Sequence, residues 1–335
     1  MRVKLRIACC LALISGLSSC ASVTKLPDNY AVPGPLPQQT LADFCYKPAP
    51  LVEKLSLIKE KKAYRVYEAE IHAGLDGFDS DSPATFEYYE QKTGEPSAVV
   101  LLMPILNGQK HLMRPFAKKF ARNGYAVIII DTVQRKTLLD DLKDPDPALR
   151  QVTEKHRRVV DWAESRPELD VSRLAVFGAS LGGFNALYLA AVDERIHVAA
   201  IALAGGSLSQ VLANSEERRI VEAVDALQLD LGLDDAALLE YLDTKIETDT
   251  LMVAQHVNAD RIQMILAKYD KAVPYINQQE LHVAMGQPEA ITLPTGHSTA
   301  ALYLFYLRSA VLKFFDRKLA ADNTLRTAVT GSTDC

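Results

Sequence analysis

The segment 174–187, LAVFGASLGGFNAL, carries a single serine among small and apolar residues. Residues 178–182 fit the pattern G-x-S-x-G, with an apolar run of strand length before them and apolar residues at helical spacing after them. Between a strand and a helix this pattern is typical of a nucleophile elbow, a strained turn that lifts the serine hydroxyl above the edge of a sheet. The segment therefore predicts nucleophilic catalysis by Ser180.

A nucleophilic serine needs a histidine that accepts its proton and a carboxylate that orients the histidine. Asp270 follows an apolar run and precedes a turn containing Val-Pro, and His297 follows a later apolar run and a Pro-Thr-Gly loop. Acid before histidine is the order expected after a serine elbow. We therefore predict Ser180, Asp270 and His297 as the catalytic residues.

Three other carboxylates compete with Asp270 for the acid's role: Asp131, Asp249 and Asp260. The first ends a strand that comes before the serine, and the other two precede the strand that Asp270 follows. The chain position of Asp270 therefore favours it over these alternatives.

Strand-like and helix-like stretches alternate along the chain. Apolar runs of strand length lie at 97–105, 125–131, 174–180, 198–205, 261–270 and 289–294, and helical patterns lie at 112–124, 147–165 and 299–318. Strands that are apolar throughout belong to a parallel sheet covered on both faces. This predicts an α/β fold with a mostly parallel central sheet flanked by helices. A dinucleotide-binding fold is not favoured, because no G-x-G-x-x-G follows an early strand.

Residues 207–250 interrupt this alternation with a long, charged stretch of helical periodicity. Long insertions in compact domains are often functional, so we expect a helical cap over a site at the strand ends. The alternative is a longer pair of crossover helices packed on the outside.

The composition excludes several classes of function. The chain has a net charge of −5 and no basic block, which argues against a nucleic-acid partner. Its seven histidines are scattered and form no ligand pattern with the cysteines, so we expect no metal.

Residues 60 to 318 resemble the α/β-hydrolase family, through the elbow and the order of its partners. The segment VVDWAESRPELDVSRLAVFGASLGG (159–183) is especially similar to the elbow segment of the dienelactone-hydrolase and peptidase-like branches. The resemblance implies cleavage of a carboxylic ester through an acyl-enzyme, without a cofactor. A peptidase or amidase of the same fold is the first alternative, and a non-catalytic envelope lipoprotein that binds a ligand in its cleft is the second.

The resemblance also implies an oxyanion hole of two backbone N–H groups. One belongs to Leu181, and the other to the loop that follows VVLLM (99–103). Pro104 in this loop has no N–H to donate, so the donor is Ile105 or Leu106, and we favour Ile105.

The N-terminus has the layout of a signal peptide, with three basic residues before an apolar run from 7 to about 17. It ends in Leu-Ser-Ser-Cys, which resembles the lipobox of bacterial lipoproteins and implies cleavage after residue 19 and acyl chains on Cys20. Several chains anchor a protein firmly to a membrane. The residue after Cys20 is Ala rather than Asp, which in that family favours the outer membrane, so we expect a lipid anchor there, on the periplasmic side. The alternative is an ordinary secretory signal with a chance cysteine.

The mature chain is expected to have three parts. Residues 20–58, rich in proline, are predicted as a tether that drapes over the domain; residues 59–320 form the domain, and 321–335 a polar tail. Two cysteines remain besides those of the leader and the lipidated Cys20, namely Cys45 and Cys335. They allow a single disulfide in an oxidising compartment, or two free thiols.

Overall fold

A sheet of ten strands forms the centre of the molecule, in the order β1-β10-β9-β8-β7-β5-β6-β4-β3-β2. The computed structural model describes residues 21–46, 51–72, 83–106, 110–131, 139 and 142–321. The strands are β1 (Ser22–Thr24), β2 (Val52–Glu60), β3 (Tyr64–His72), β4 (Ala84–Gln91), β5 (Ser97–Met103), β6 (Ala126–Ile130), β7 (Leu169–Ala179), β8 (Ile196–Ala202), β9 (Ile262–Ala267) and β10 (Glu289–Leu293).

Helices cover both faces of this sheet. They are α1 (Gln38–Ala42), α2 (Lys110–Ala121), α3 (Asp146–Glu164), α4 (Leu181–Val192), α5 (Leu208–Asn214), α6 (Arg218–Leu231), α7 (Asp235–Lys245), α8 (Thr250–Ala254), α9 (Tyr275–Ala284) and α10 (Leu304–Ala321), with 3₁₀ turns at Ala259–Arg261 and Ser298–Tyr303. The prediction of a mostly parallel sheet flanked by helices is confirmed.

Six neighbouring strands run parallel to one another: β6, β5, β7, β8, β9 and β10. The strands at either side of this group, β4 and β1, pair with it antiparallel. Successive side chains of β5 belong to hydrophobic cores on opposite faces of the sheet. Leu101 shares a core with Val176 and Trp162, and Leu102 shares the other core with Phe177. We call the first side, covered by α3 to α9, the cap face and the second, covered by α2 and α10, the opposite face. Parallel strands buried on both faces explain the continuous apolar runs in the sequence.

The N-terminal segment predicted as a tether is largely part of the domain. Its β1 pairs with β10 at one edge of the sheet, and β2 pairs with β3 at the other. Leu36 and Phe44 are buried in the core of the cap face. These strands cannot be recognised in the sequence, because nearly every residue of β1 and β2 is exposed and neither strand carries a hydrophobic pattern.

The insertion between β8 and β9 forms four helices, α5 to α8. Asp146 of α3 accepts hydrogen bonds from the backbone N–H of Thr248 (3.1 and 3.0 Å) and from its hydroxyl (2.9 Å). The Tyr188 hydroxyl donates to the Thr248 carbonyl at 2.6 Å. Burial raises the pKa of Tyr188 well above its usual value, which keeps the phenol a donor. These bonds tie the end of the insertion to the helices below it.

Several predicted features lie outside the described residues: the leader 1–19, Cys20, the greater part of the tail 321–335, and Cys335. Cys45 is disulfide-bonded, and its pairing with Cys335 stays a prediction. Within the part of the chain that the structure describes, no helix is long and apolar enough to cross a bilayer.

Candidate active site

Ser180 sits at the junction of β7 and α4 with φ +55° and ψ −126°. A positive φ is a strained conformation for a residue with a side chain, and it persists only where neighbours enforce it. The Ser180 N–H donates to the Ala202 carbonyl of the adjacent strand at 2.8 Å, and its own carbonyl accepts from Gly183 at 2.7 Å. The turn that the sequence predicted is therefore present and held at both ends.

Two glycines make this turn possible because the backbone passes very close to itself. A Cβ at Gly178 would collide with the carbonyl of Gly182, and a Cβ at Gly182 would collide with the carbonyl of Met103. Both obstacles are backbone atoms, which cannot move aside as a flexible side chain can. The G-x-S-x-G pattern is thus explained by steric exclusion at its two ends.

The three side chains predicted as catalytic lie together at the carboxyl edge of the parallel strands. His297 Nε2 lies 2.9 Å from Ser180 Oγ, and His297 Nδ1 lies 2.7 Å from Asp270 Oδ2. A carboxylate only accepts hydrogen bonds, so Nδ1 carries the imidazole proton and Nε2 accepts from the serine hydroxyl. The arrangement orients a base toward the nucleophile.

Asp270 is held by donors on both of its oxygens. Its Oδ1 accepts from the backbone N–H of Ala272 (2.9 Å) and of Val273 (3.0 Å), and its Oδ2 also accepts from Gln278 Nε2 (2.9 Å). The carboxylate is buried, and these bonds compensate for its lost hydration. The loop after β9 and Gln278 of α9 therefore hold the carboxylate in place by contacts that do not involve His297.

Gln278 is a site residue that sequence reasoning missed. Besides Asp270 it binds the Val273 carbonyl at 2.8 Å, and its Oε1 accepts from the Ala267 N–H at 3.0 Å. It is completely buried on α9. An amide side chain on the buried side of a helix, eight residues after the acid, is the only sequence signal that could have indicated Gln278.

The competing carboxylates have structural partners. Asp249 accepts from the backbone N–H of Leu208 (2.5 Å) and Leu251 (2.7 Å), which joins the start and end of the insertion. Asp260 pairs with Lys318 at 2.6 Å, and Asp131 with Lys110 at 2.8 Å.

The two residues predicted for the oxyanion hole flank the serine. Leu181 is the first residue of α4, and Ile105 follows β5, whose Met103 is in register with Gly178 of β7. Both line the same cavity as Ser180. The N-terminus of α4 carries a partial positive charge that suits a developing anion.

A cavity of about 510 Å³ opens in front of Ser180 and His297. The described lining residues are leucine, isoleucine, valine, phenylalanine, methionine and alanine, together with Ser180, His297, Ser298 and one carboxylate, Glu217. Such a volume is that of a site for a small organic molecule.

The fold has close structural relatives among esterases. Acetyl xylan esterase 1 from Thermoanaerobacterium sp. JW/SL YS485 superposes with a TM-score of 0.61 at 15% identity, over 85% of this chain and 99% of that chain. Residues 86–237 match the Dienelactone hydrolase family. The chain therefore has the α/β-hydrolase fold.

Two curated relatives match the chain over shorter stretches. Quorum-quenching protein AidA of Acinetobacter baumannii (strain MDR-ZJ06) is 27% identical over 36% of this chain and 40% of its own length. Cutinase 2 of Thermobifida cellulosilytica is 34% identical over 35% of this chain and 41% of its own length. The chain thus matches about two fifths of the length of each.

The family match covers Ser180 but ends before Asp270 and His297. It is the folded structure that places these two residues beside the serine. A sequence match alone would have left the acid and the base unassigned.

Proposed function

We propose that the protein is a carboxylesterase with Ser180 as nucleophile, His297 as general base and acid, and Asp270 as the group that orients His297. The observation that carries the proposal is the continuous relay from Asp270 through His297 to Ser180, at 2.7 and 2.9 Å, beside an apolar cavity. The similarity to acetyl xylan esterase 1 and to Cutinase 2 supports the reaction class.

In the first half of the reaction, Ser180 Oγ bonds to the ester carbonyl carbon as its proton passes to His297 Nε2. The oxyanion is held by the N–H groups of Leu181 and Ile105. The bond from the carbonyl carbon to the alcohol oxygen then breaks, and His297 gives its proton to the leaving alcohol.

In the second half, water gives a proton to His297 and bonds to the carbonyl carbon of the acyl-enzyme. The bond to Ser180 Oγ breaks, the serine recovers its proton from His297, and a carboxylic acid leaves. Each cycle consumes one ester and one water and regenerates the enzyme, with no cofactor taking part.

An ester is favoured over a peptide because of the lining of the cavity. A peptide substrate has many amide groups that need hydrogen-bonding partners once they leave water. The described lining is almost entirely aliphatic or aromatic and offers few such partners.

The test compares p-nitrophenyl butyrate hydrolysis by the wild type, Ser180→Ala and Ser309→Ala, a serine on the exposed side of α10. Loss of the nucleophile is expected to lower kcat by at least about 10⁴-fold, and the control is expected to match the wild type. Folded wild-type protein that cleaves chromogenic peptides but no ester would reject the proposal, as would full activity in Ser180→Ala.

We also propose that the mature protein is anchored to the outer membrane through acyl chains on Cys20. The signal layout and the lipobox-like sequence support this. Ser22 is already paired with Thr292 at the sheet edge, and two residues span at most about 7 Å. The domain would then lie close to the bilayer, without a long flexible linker between them.

Radioactive palmitate labelling in cells tests this anchor. We expect label on the wild type and none on Cys20→Ser, with the variant moving from the membrane fraction to the soluble periplasmic fraction. Equal labelling of Cys20→Ser, or an unlabelled wild type, would contradict the proposal.

A further inference from the structure

The cavity in front of Ser180 extends to both faces of the sheet. This matters because Ser180 stands at the end of β7, in the plane that separates the two faces. A wall on each side of the serine gives the substrate two directions in which to extend from the carbonyl carbon.

The wall on the opposite face is built by α2 and α10. Its lining includes Leu112, Met113 and Phe116 from α2 and Leu304 and Leu307 from α10. We call this region the α2/α10 arm. All five side chains are apolar, and Met113, Phe116 and Leu307 also belong to the core of that face.

The wall on the cap face is built by α3 to α6. Its lining includes Leu149, Phe184, Leu208, Val211 and Ile220. We call this region the cap arm. It too is apolar, and its first four members belong to the core of the cap face.

We propose that the preferred substrate is an uncharged ester with an aliphatic group on each side of the carbonyl, one in the α2/α10 arm and the other in the cap arm. This rests on the proposed esterase function. The acyl carbon and the alcohol oxygen leave the tetrahedral centre in different directions, while the third substituent, the oxyanion, faces Leu181 and Ile105. Apolar walls on both faces of the sheet, with Ser180 between them, match this geometry.

The size of the cavity supports groups longer than acetyl or methyl. About 510 Å³ lies within the range of sites for drug-sized molecules, whereas methyl acetate would leave most apolar surface unfilled. Burial of one methylene in such a site is worth about fourfold in affinity. Rate constants should therefore rise with chain length on both sides of the ester.

Glu217 is the charged residue of the described lining, and it lies on the cap arm beside Ile220. Its Oε2 caps α6 by accepting from the N–H of Arg219 (2.8 Å) and Ile220 (3.1 Å), so the carboxylate is fixed in place. No lysine or arginine is among the described lining residues. An ester with an anionic tip would meet a like charge and an apolar wall, and it should be rejected.

The first experiment measures kcat/KM by pH-stat for two series that share methyl acetate. One lengthens the acyl group to methyl octanoate, and the other lengthens the alcohol to octyl acetate. We expect kcat/KM to rise at least tenfold along each series. A flat response in either series would overturn the proposal of two arms.

The second experiment narrows each arm with a matched variant. Leu112→Trp and Ile220→Trp each enlarge a half-buried aliphatic residue on a helix, one in each arm. For each variant we compare the ratio of kcat/KM between the longest and shortest ester within a series, which cancels any general loss of activity. One variant should reduce the ratio in the acyl series and the other in the alcohol series, by at least fivefold. Effects of both variants on the same series would overturn the proposal.

Leu112→Phe and Ile220→Phe provide milder changes if either tryptophan variant fails to fold, with the same expected division between series. For charge, methyl hexanoate is compared with the monomethyl ester of adipic acid, which has the same carbonyl chain but an anionic end. We expect at least 100-fold discrimination in the wild type and a several-fold smaller one in Glu217→Gln. Equal rates for the two esters would contradict the proposal that the cavity lining rejects an anionic ester.

Failure of this inference differs from failure of the proposed function. A wild-type protein that hydrolyses no ester at all rejects the esterase. A wild-type protein that hydrolyses methyl acetate as fast as the longer esters keeps the esterase and rejects the two aliphatic arms.

Discussion

Two buried carboxylates of this molecule have similar surroundings and different consequences. Asp270, after β9, receives two backbone N–H groups and Gln278 as donors and contacts His297. Asp193, after α4, receives the backbone N–H of Arg195 (3.1 Å), its guanidinium (2.8 and 2.7 Å) and Arg157 (3.4 Å). Each is a carboxylate taken out of water and compensated by four or more hydrogen bonds.

The difference lies in the partner and in what covers it. Burial alone would lower the pKa of Arg195, but the hydrogen bonds and charge of Asp193 raise it above its usual value, so this cation keeps its proton. The cluster is closed by the N-terminal segment, where Arg157 binds the Phe44 carbonyl at 2.9 Å and Tyr46 binds Asp161 at 2.9 Å. His297, in contrast, is part-exposed to a cavity and has a ring that can take up and release a proton.

A buried carboxylate by itself therefore does not indicate a functional site. A buried carboxylate contributes to catalysis where its partner exchanges protons and borders on a cavity. It contributes to the stability of the fold where its partner holds a permanent charge. Substitutions at the two clusters separate these two roles.

Asp270→Asn is expected to lower kcat by about 10³–10⁴-fold with little change in the midpoint of thermal unfolding. The amide that replaces the carboxylate can donate to Nδ1, which leaves the proton on Nε2 and prevents it from accepting from Ser180. Steady-state kinetics with p-nitrophenyl butyrate measures this. Asp260→Asn, which removes only a surface pair with Lys318, should retain wild-type rates. A fall of less than tenfold in Asp270→Asn would remove this residue from the relay.

Asp193→Asn is expected to show the reverse pattern, a loss of about 3–5 kcal/mol in the free energy of unfolding, because buried Arg157 loses its carboxylate partner and Arg195 keeps only Asp161 and Glu164. Urea unfolding followed by circular dichroism gives this value. The kcat of the remaining folded protein should stay within a factor of about two, since no atom of the cluster borders on the cavity. A stable variant with a large loss of kcat would contradict the division between the two carboxylates.

Gln278→Met tests whether the acid needs its amide donor. We expect kcat to fall about tenfold with KM nearly unchanged, because the loss of one hydrogen bond lets Asp270 reorient without altering the cavity. Gln278→Glu should be slower still, since it places a second carboxylate beside the first. Gln255→Met, on the surface, is the matched control. A rise in KM with unchanged kcat would show that the residue shapes the substrate site instead.

The smallest expected effect concerns a buried histidine on α3, outside both clusters. Burial, and then the charge of Lys155, lower the pKa of His156 to about 3. The unfolded chain binds a proton there near pH 6.5, so the stability is complete above that pH and falls as the pH drops toward 3. His156→Leu should weaken this fall between pH 6.5 and 4, as measured by the unfolding midpoint, while the exposed His111→Leu should not. If the unfolding midpoint of His156→Leu fell with pH as it does in the wild type, His156 would not be the cause of the loss of stability.

The sequence predicts the catalytic edge well because its constraints are local. The elbow at 178–182 is fixed by steric exclusion, and the runs before Asp270 and His297 are apolar because parallel strands are buried on both faces. The order of elements then brings the three side chains to one edge of one sheet.

The parts that the sequence does not predict depend on distant partners. Strands β1 and β2 are edge strands with exposed side chains, so no periodicity indicates them. Gln278 is assigned to the site only by its distance to Asp270, and the two cavity arms only by how α2, α10 and the cap pack around Ser180. Contacts of this kind arise from the folded topology and leave no pattern in a short window of the chain.

The most direct measurement of the central claim is the site of covalent modification. A fluorophosphonate probe is incubated with the protein, and the intact mass and the labelled peptide are determined by mass spectrometry. The account predicts one adduct per chain on the peptide that contains Ser180, formed far more slowly in His297→Ala. An adduct on another residue, or ester hydrolysis that survives without any adduct at Ser180, would contradict it.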